Sequence, residues 1–117
     1  MTTFEAGDLV EVPFPFIDSS RTKLRPALVL SSPAFHQKTG AYLLTMITSA
    51  ERSRWGNDLV LQAWSQAGLN KPSIVRWKVF TLDEALIVGL RGRLAEKDLT
   101  AVRSALVEIL SDWPLAN

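Results

Sequence analysis

The spacing of apolar residues changes near position 95. Before it, apolar positions come in short runs broken by proline, glycine and polar clusters; after it, they recur every three or four residues. Residues 8–14 (DLVEVPF) carry Leu9, Val10 and Val12 and stop at Pro13 and Pro15. Residues 26–32 (PALVLSS) form a short apolar run of the kind buried on both faces. Residues 42–48 (YLLTMIT) form another, rich in strand formers. Residues 59–61 are a shorter strand candidate. Over 73–82 (SIVRWKVFTL), alternation places Ile74, Arg76, Lys78 and Phe80 on one face and Val75, Trp77, Val79 and Thr81 on the other. Residues 86–94 are the last strand candidate, with a bulge or bend expected at Gly89 and Gly92.

The tail follows a different period. Leu99, Val102, Leu106, Ile109, Leu110 and Trp113 fall on one stripe of a helix over 96–113. Glu96 and Asp98 in its first turn suit the helix dipole. Pro114 ends it, and Ala95 at the N-cap position has no side chain that could cap it. Short strands followed by one amphipathic helix predict a mainly β fold with α: a small barrel or curled sheet with the C-terminal helix packed against it.

Composition narrows the class. At 117 residues, the chain is one domain, residues 1–117, with room for a single core. An apolar share of 47% with 21% charged residues is that of a folded globule. No linker, repeat or low-complexity stretch interrupts it. No apolar run approaches the roughly 20 residues that span a bilayer, so no membrane partner is expected. Residues 1–7 lack the basic and apolar regions of a signal peptide. With no cysteine, disulfides and thiolate chemistry are excluded, and a cytoplasmic location is expected.

A net charge of +1 argues against coating nucleic acid by bulk charge, but not against a local groove. Arg21, Lys23 and Arg25 lie close together, Arg52 and Arg54 flank Ser53, and Arg76, Lys78, Arg91 and Arg93 form a third group. Each group also reads as solvated strand and loop charge. The loop over 15–24 (PFIDSSRTKL) mixes Phe16 with two basic residues; it is either a binding loop or a solvated connection with Phe16 folded inward.

Most familiar catalytic sites are excluded. His36 is the only histidine, in a polar stretch (FHQKTG) with no nucleophile motif, and reads as a surface residue. No His/Cys cluster suits zinc, no Asp-x-Asp pattern suits calcium or a metal pair, and no glycine-rich phosphate loop occurs. Neither metal nor cofactor is expected. Arginine with hydroxyls remains. Arg25 precedes Pro26, which biases it towards extended backbone at the mouth of a strand. Thr48 and Ser49 end another strand. A guanidinium fork beside hydroxyls suits a phosphate, although Arg-Pro and Thr-Ser pairs are more often structural.

Several ordered motifs resemble the MazF/PemK toxins. They are Gly7-Asp8-Leu9-Val10, Val12-Pro13-Phe14-Pro15-Phe16, Leu24-Arg25-Pro26-Ala27-Leu28-Val29-Leu30, Ile47-Thr48-Ser49, the run from Gly68 through Lys71-Pro72-Ser73 to Arg76, and Gly92-Arg93-Leu94. The resemblance spans nearly the whole chain. It implies a small SH3-like barrel with a C-terminal helix, usually a homodimer. It also implies sequence-selective, metal-independent cleavage of single-stranded RNA, mostly mRNA. A cognate antitoxin would inhibit the toxin and share DNA binding with it. By position, the resemblance assigns Arg25, Thr48 and Ser49 to catalysis. Phe16, Ser20, Arg21, Lys23, Trp55, Arg76 and Lys78 are assigned to RNA. Trp55 also reads as simple packing beside Gly56. The chain has Met46 where members often have proline. It has Ser20 and Lys78 where some members have acids. Two other readings stay open: a toxin of this fold that acts by binding, as the CcdB gyrase poisons do through a C-terminal tail (here 112–117), and a catalytically silent binding barrel.

Overall fold

The structure, a computed structural model, describes residues 3–13, 23–51 and 55–115. Six strands, β1 (Asp8–Pro13), β2 (Leu24–Val29), β3 (Ala41–Ser49), β4 (Leu59–Val60), β5 (Ser73–Asp83) and β6 (Gly89–Arg93), form one sheet in the order β4-β5-β3-β2-β1-β6. Every pairing is antiparallel. Helix α1 (Pro33–Thr39) joins β2 to β3, and helix α2 (Glu96–Ile109) follows β6. The mainly β fold with a C-terminal helix is the one expected from the sequence.

Strand alternation gives the sheet an apolar cluster on each face. Val10, Val12, Ala27, Val29 and Leu44 join one cluster, while their strand neighbours Leu9 and Leu28 join the other with Ile47, Val75 and Leu94. Helix α2 lays Leu99, Val102 and Leu106 on this second cluster. Asp98, read from the sequence as a dipole partner, does more. It is 1% exposed, and its carboxylate accepts from the backbone N–H groups of Gln62 and Ala63 at 3.0 and 2.9 Å, pinning the turn after β4 to the helix. Ala95 makes no side-chain cap, as expected. The apolar stripe is covered only in its first half: Ile109, Leu110 and Trp113 are exposed, and α2 stops at Ile109.

Four local expectations are corrected. First, residues 33–39 form a helix, with Ser32 Oγ accepting from the Phe35 N–H, Pro33 in the first turn and Gly40 closing it at φ 71°. Second, His36 in this helix is buried, not on the surface; its ring stacks on Tyr42 at 4.4 Å between centroids and its Nε2 hydrogen-bonds Glu84. Third, the ladder between β3 and β5 jumps from Met46↔Arg76 to Thr45↔Val79. Trp77 and Lys78 therefore leave the ladder in a bulge, and the simple two-face split of this strand breaks there. Fourth, the last strand begins only at Gly89; residues 84–86 form a 3₁₀ turn capped by Asp83. The bend expected at Gly92 is present, as a register shift where β6 pairs with Leu9 and Val10.

Candidate functional site

Proline in β2 determines where the sheet opens. Pro26 has no N–H to donate, and the β2–β3 ladder runs only over Ala27–Val29. Extending its register places Arg25 across from Thr48, but there the strands are no longer joined. Between them lies a shallow pocket of about 210 Å³, lined among others by Arg25, Thr48, Ser49, Asn70, Lys71 and Arg91. The catalytic trio expected from the sequence thus shares one site.

Electrostatics favour an anion. The described lining holds three cationic side chains and no carboxylate. Arg25 Nε is buried without a hydrogen-bond partner among the described residues. A buried charged donor in that condition is costly unless a ligand satisfies it. Ser49 Oγ accepts from the Glu51 N–H at 3.2 Å, so Ser49 also shapes the turn leaving β3. Ser73 Oγ donates to the Lys71 carbonyl at 2.8 Å and holds the opposite rim.

The third basic group of the sequence does not act as a unit. Arg76 forms a forked pair with Asp58, with Nε to Oδ1 at 3.2 Å and an N–H2 to Oδ2 at 2.8 Å. That bond raises the pKa of the Arg76 guanidinium above its ordinary value, against the opposing effect of burial. Arg93 pairs with Asp8, and Arg91 with Glu11. Lys78 stays exposed, its Nζ 5.5 Å from the centre of the Trp55 ring, a cation–π contact on a half-exposed indole. Trp55, Arg76 and Lys78 therefore form a second cluster around Asp58, away from the pocket lining. Lys23 is exposed one residue before Leu24, which lines the pocket. Phe16, Ser20 and Arg21, like Arg52 and Arg54, lie outside the described residues.

Sequence reasoning missed Asn70, Lys71 and Arg91 as parts of the pocket, Glu11 as the partner of Arg91, and Asp58 as the partner of Arg76. Asn70 and Lys71 lay within a motif of the resemblance, the run from Gly68 to Arg76, which was the one available signal. The others are brought in by contacts between distant parts of the chain.

Fold and pocket together define a small antiparallel β protein with a C-terminal helix and a cationic site open to a phosphate-sized group. Residues 5–110 match the family model described as PemK-like, MazF-like toxin of type II toxin–antitoxin system, and the chain belongs to that family. Its fold is that of MazF from Deinococcus radiodurans, at TM-score 0.72 and 24% identity over 95% of this chain and 99% of that one. A MazE–MazF complex from the same organism gives 0.70 and 24% over 94% and 97%. A mycobacterial endoribonuclease solved with its cognate antitoxin gives 0.73 and 15% over 97% and 100%. No curated protein sequence gives a significant match.

Proposed function

We propose that this toxin is an endoribonuclease that cleaves single-stranded RNA, mRNA foremost, by attack of the substrate's own 2′-hydroxyl on the adjoining phosphate. The products are a 2′,3′-cyclic phosphate and a 5′-hydroxyl end. The observation that carries this reading is the buried Nε of Arg25, without a partner among the described residues, in a pocket shared with Thr48. Because the nucleophile belongs to the substrate, the protein's task is alignment and stabilisation of the charge gained by the phosphorane. Arg25 offsets that charge with its guanidinium; the 2′-hydroxyl gives its proton to solvent, and solvent returns one to the leaving 5′ oxygen. Arg25 does not serve as a base, since a guanidinium carries five donors and no acceptor. The Thr48 hydroxyl donates to a phosphate oxygen, and Ser49 and Lys71 border the same space. Splayed bases stack on exposed aromatics such as Trp55, with Lys78 beside it for the backbone; this selects single strands.

Cleavage is expected to proceed in EDTA and to leave cyclic phosphate ends on a mixed-sequence RNA. Activity lost on chelation and restored by a divalent ion would refute the metal-independent route. Intact RNA in both conditions would favour the binding-only toxin, whose exposed tail residues Trp113 and Leu115 would then carry function.

The working unit is a homodimer in the cytoplasm, inhibited by an antitoxin segment lying in the RNA groove. A 13.0 kDa protein offers little continuous surface for an RNA path. Leu86, Val88 and Leu90, exposed along one edge of the sheet, give a second copy apolar surface to cover. The antitoxin segment is acidic and orders on binding. A peptide of that segment should displace uncleaved RNA from the Arg25→Ala protein. Simultaneous binding with no mutual loss of affinity would sink the shared groove, and sedimentation of a fully active monomer at micromolar concentration would sink the dimer.

A further inference from the structure

Leu69, Asn70 and Lys71 form a second side of the pocket, in a loop over 68–71 with no helix or strand of its own. Two contacts press its start onto β6. A Cβ on Gly92 would lie 2.0 Å from the Ala67 carbonyl oxygen, and one on Gly68 would lie 2.7 Å from the Arg91 carbonyl oxygen. Backbone meets backbone there, and Gly68 takes φ +91° to allow it. The Arg91 side chain then reaches back over the loop. Its Nε donates to the Gly68 carbonyl at 3.1 Å, one N–H2 group reaches Asn70 Oδ1 at 3.5 Å, and the other bonds the Glu11 carboxylate.

Glu11 lies at a junction. It sits across from Pro26 of β2 on one side and from Gly89 of β6 on the other. The bridge from Glu11 through Arg91 therefore ties the loop to the strand beside Arg25. Three of the five N–H donors of Arg91, one on each arm of the fork, face protein acceptors, and these bonds hold the guanidinium to the loop and to β1. Arginine can only donate, so Asn70 turns its oxygen to Arg91 and keeps its amide N–H2 for a ligand. A part-exposed ion pair of this kind adds little to stability; its contribution is geometric.

We propose that Arg91, braced by Glu11, is a positioning residue that holds residues 68–71 as the second wall of the Arg25–Thr48 pocket, so that Asn70 and Lys71 grip the RNA backbone. This rests on the RNA-cleaving reading above. The side chain acts through the loop and not on the reacting phosphate.

The test is a double-mutant cycle on the full chain, read as single-turnover cleavage of a mixed-sequence RNA beside thermal unfolding. Arg91→Gln should lower kcat/KM by about 10-fold or more, on the scale of a small misplacement of binding groups. Arg91→Lys should recover little, because an ammonium cannot reproduce the fork. In an Asn70→Ala/Lys71→Ala background, Arg91→Gln should lower the rate less than about twofold, since the groups it positions are already gone. A merely structural role predicts the same loss in both backgrounds, and that result would overturn the proposal. So would normal cleavage by a folded Arg91→Gln protein. If Arg91→Gln fails to fold, Glu11→Gln, which leaves the Arg91–Gly68 bond in place, runs the same cycle with the same two outcomes. Wild-type protein that leaves RNA intact overturns the nuclease reading and this one with it; wild-type cleavage with an unaffected cycle overturns this one alone.

Discussion

Arg25→Ala should reduce RNA cleavage by about 100-fold or more while leaving the fold as stable as before, or more so. The first half follows from the chemistry: removing one preorganised donor from a developing oxyanion has that scale. The second half follows from the structure. Arg25 Nε is buried with no partner among the described residues, and a donor in that condition costs stability that alanine would not. A site that is worse for stability than its replacement is the expected mark of a group kept for function. Arg25→Lys should fall well short of rescue, because a point charge lacks the fork. Thr48→Ala should reduce the rate less than Arg25→Ala, as a neutral hydroxyl makes the weaker bond. Rates in EDTA beside thermal melts check all three. A folded Arg25→Ala protein with near-normal cleavage removes Arg25 from the site, and a larger loss in Thr48→Ala reverses the ranking.

The two catalytic candidates were legible because both stand at strand ends. Pro26 marks one end chemically, by withholding a hydrogen bond, and the change from apolar run to Thr-Ser-Ala marks the other. That the two strand ends face each other follows from antiparallel register. Strand β1 was legible from its apolar residues, which the two faces divide: Leu9 joins one cluster, Val10 and Val12 the other. Helix α1 was missed although its signals are ordinary: a serine cap, a proline in the first turn and a glycine at the exit. Seven residues are too few for a period to show, and the only buried residue on the helix is His36. Histidine in a polar stretch suggests the surface. Here an aromatic stacking partner and a carboxylate, supplied by Tyr42 and by Glu84, make burial acceptable.

The far side of the pocket was not legible. Arg76, Lys78, Arg91 and Arg93 read as one basic group because they are near in sequence. Each is instead assigned by its partner: Asp58, the Trp55 ring, Glu11 and Asp8. Those partners come from positions 18 to 85 residues away, and no local pattern encodes such distances. Only tertiary register decides that Arg91 faces the pocket and Arg93 does not. The same limit applies to Asp98, whose place in a first helical turn predicted a dipole role and whose actual partners lie 35 and 36 residues earlier.

Gly92→Ala should be among the most destabilising single substitutions in the chain, by about 3 kcal/mol or more. The added methyl would stand 2.0 Å from the Ala67 carbonyl oxygen and 2.8 Å from its carbon, so backbone has to move by well over an ångström. Neither side yields freely. On one side, Gly92 pairs with Leu9 in β1 and Leu94 donates to the Gly7 carbonyl at 3.0 Å. On the other, Ala67 is fully buried, and its N–H donates to the Ala63 carbonyl at 3.3 Å within the turn that Asp98 pins to α2. For a domain of this size the expected fall in Tm is roughly 10 °C or more. Gly89→Ala is the control: a Cβ there meets nothing within 4 Å, and its melt should lie close to wild type. The displacement at Gly92 also pushes directly on the loop that carries Asn70 and Lys71. Well below the melting range, Gly92→Ala should therefore cleave RNA more slowly than its folded fraction accounts for, while Gly89→Ala should not. A Gly92→Ala protein that melts with wild type would show that strand β6 and residues 67–68 are not in contact, and the pocket wall described above would lose its support.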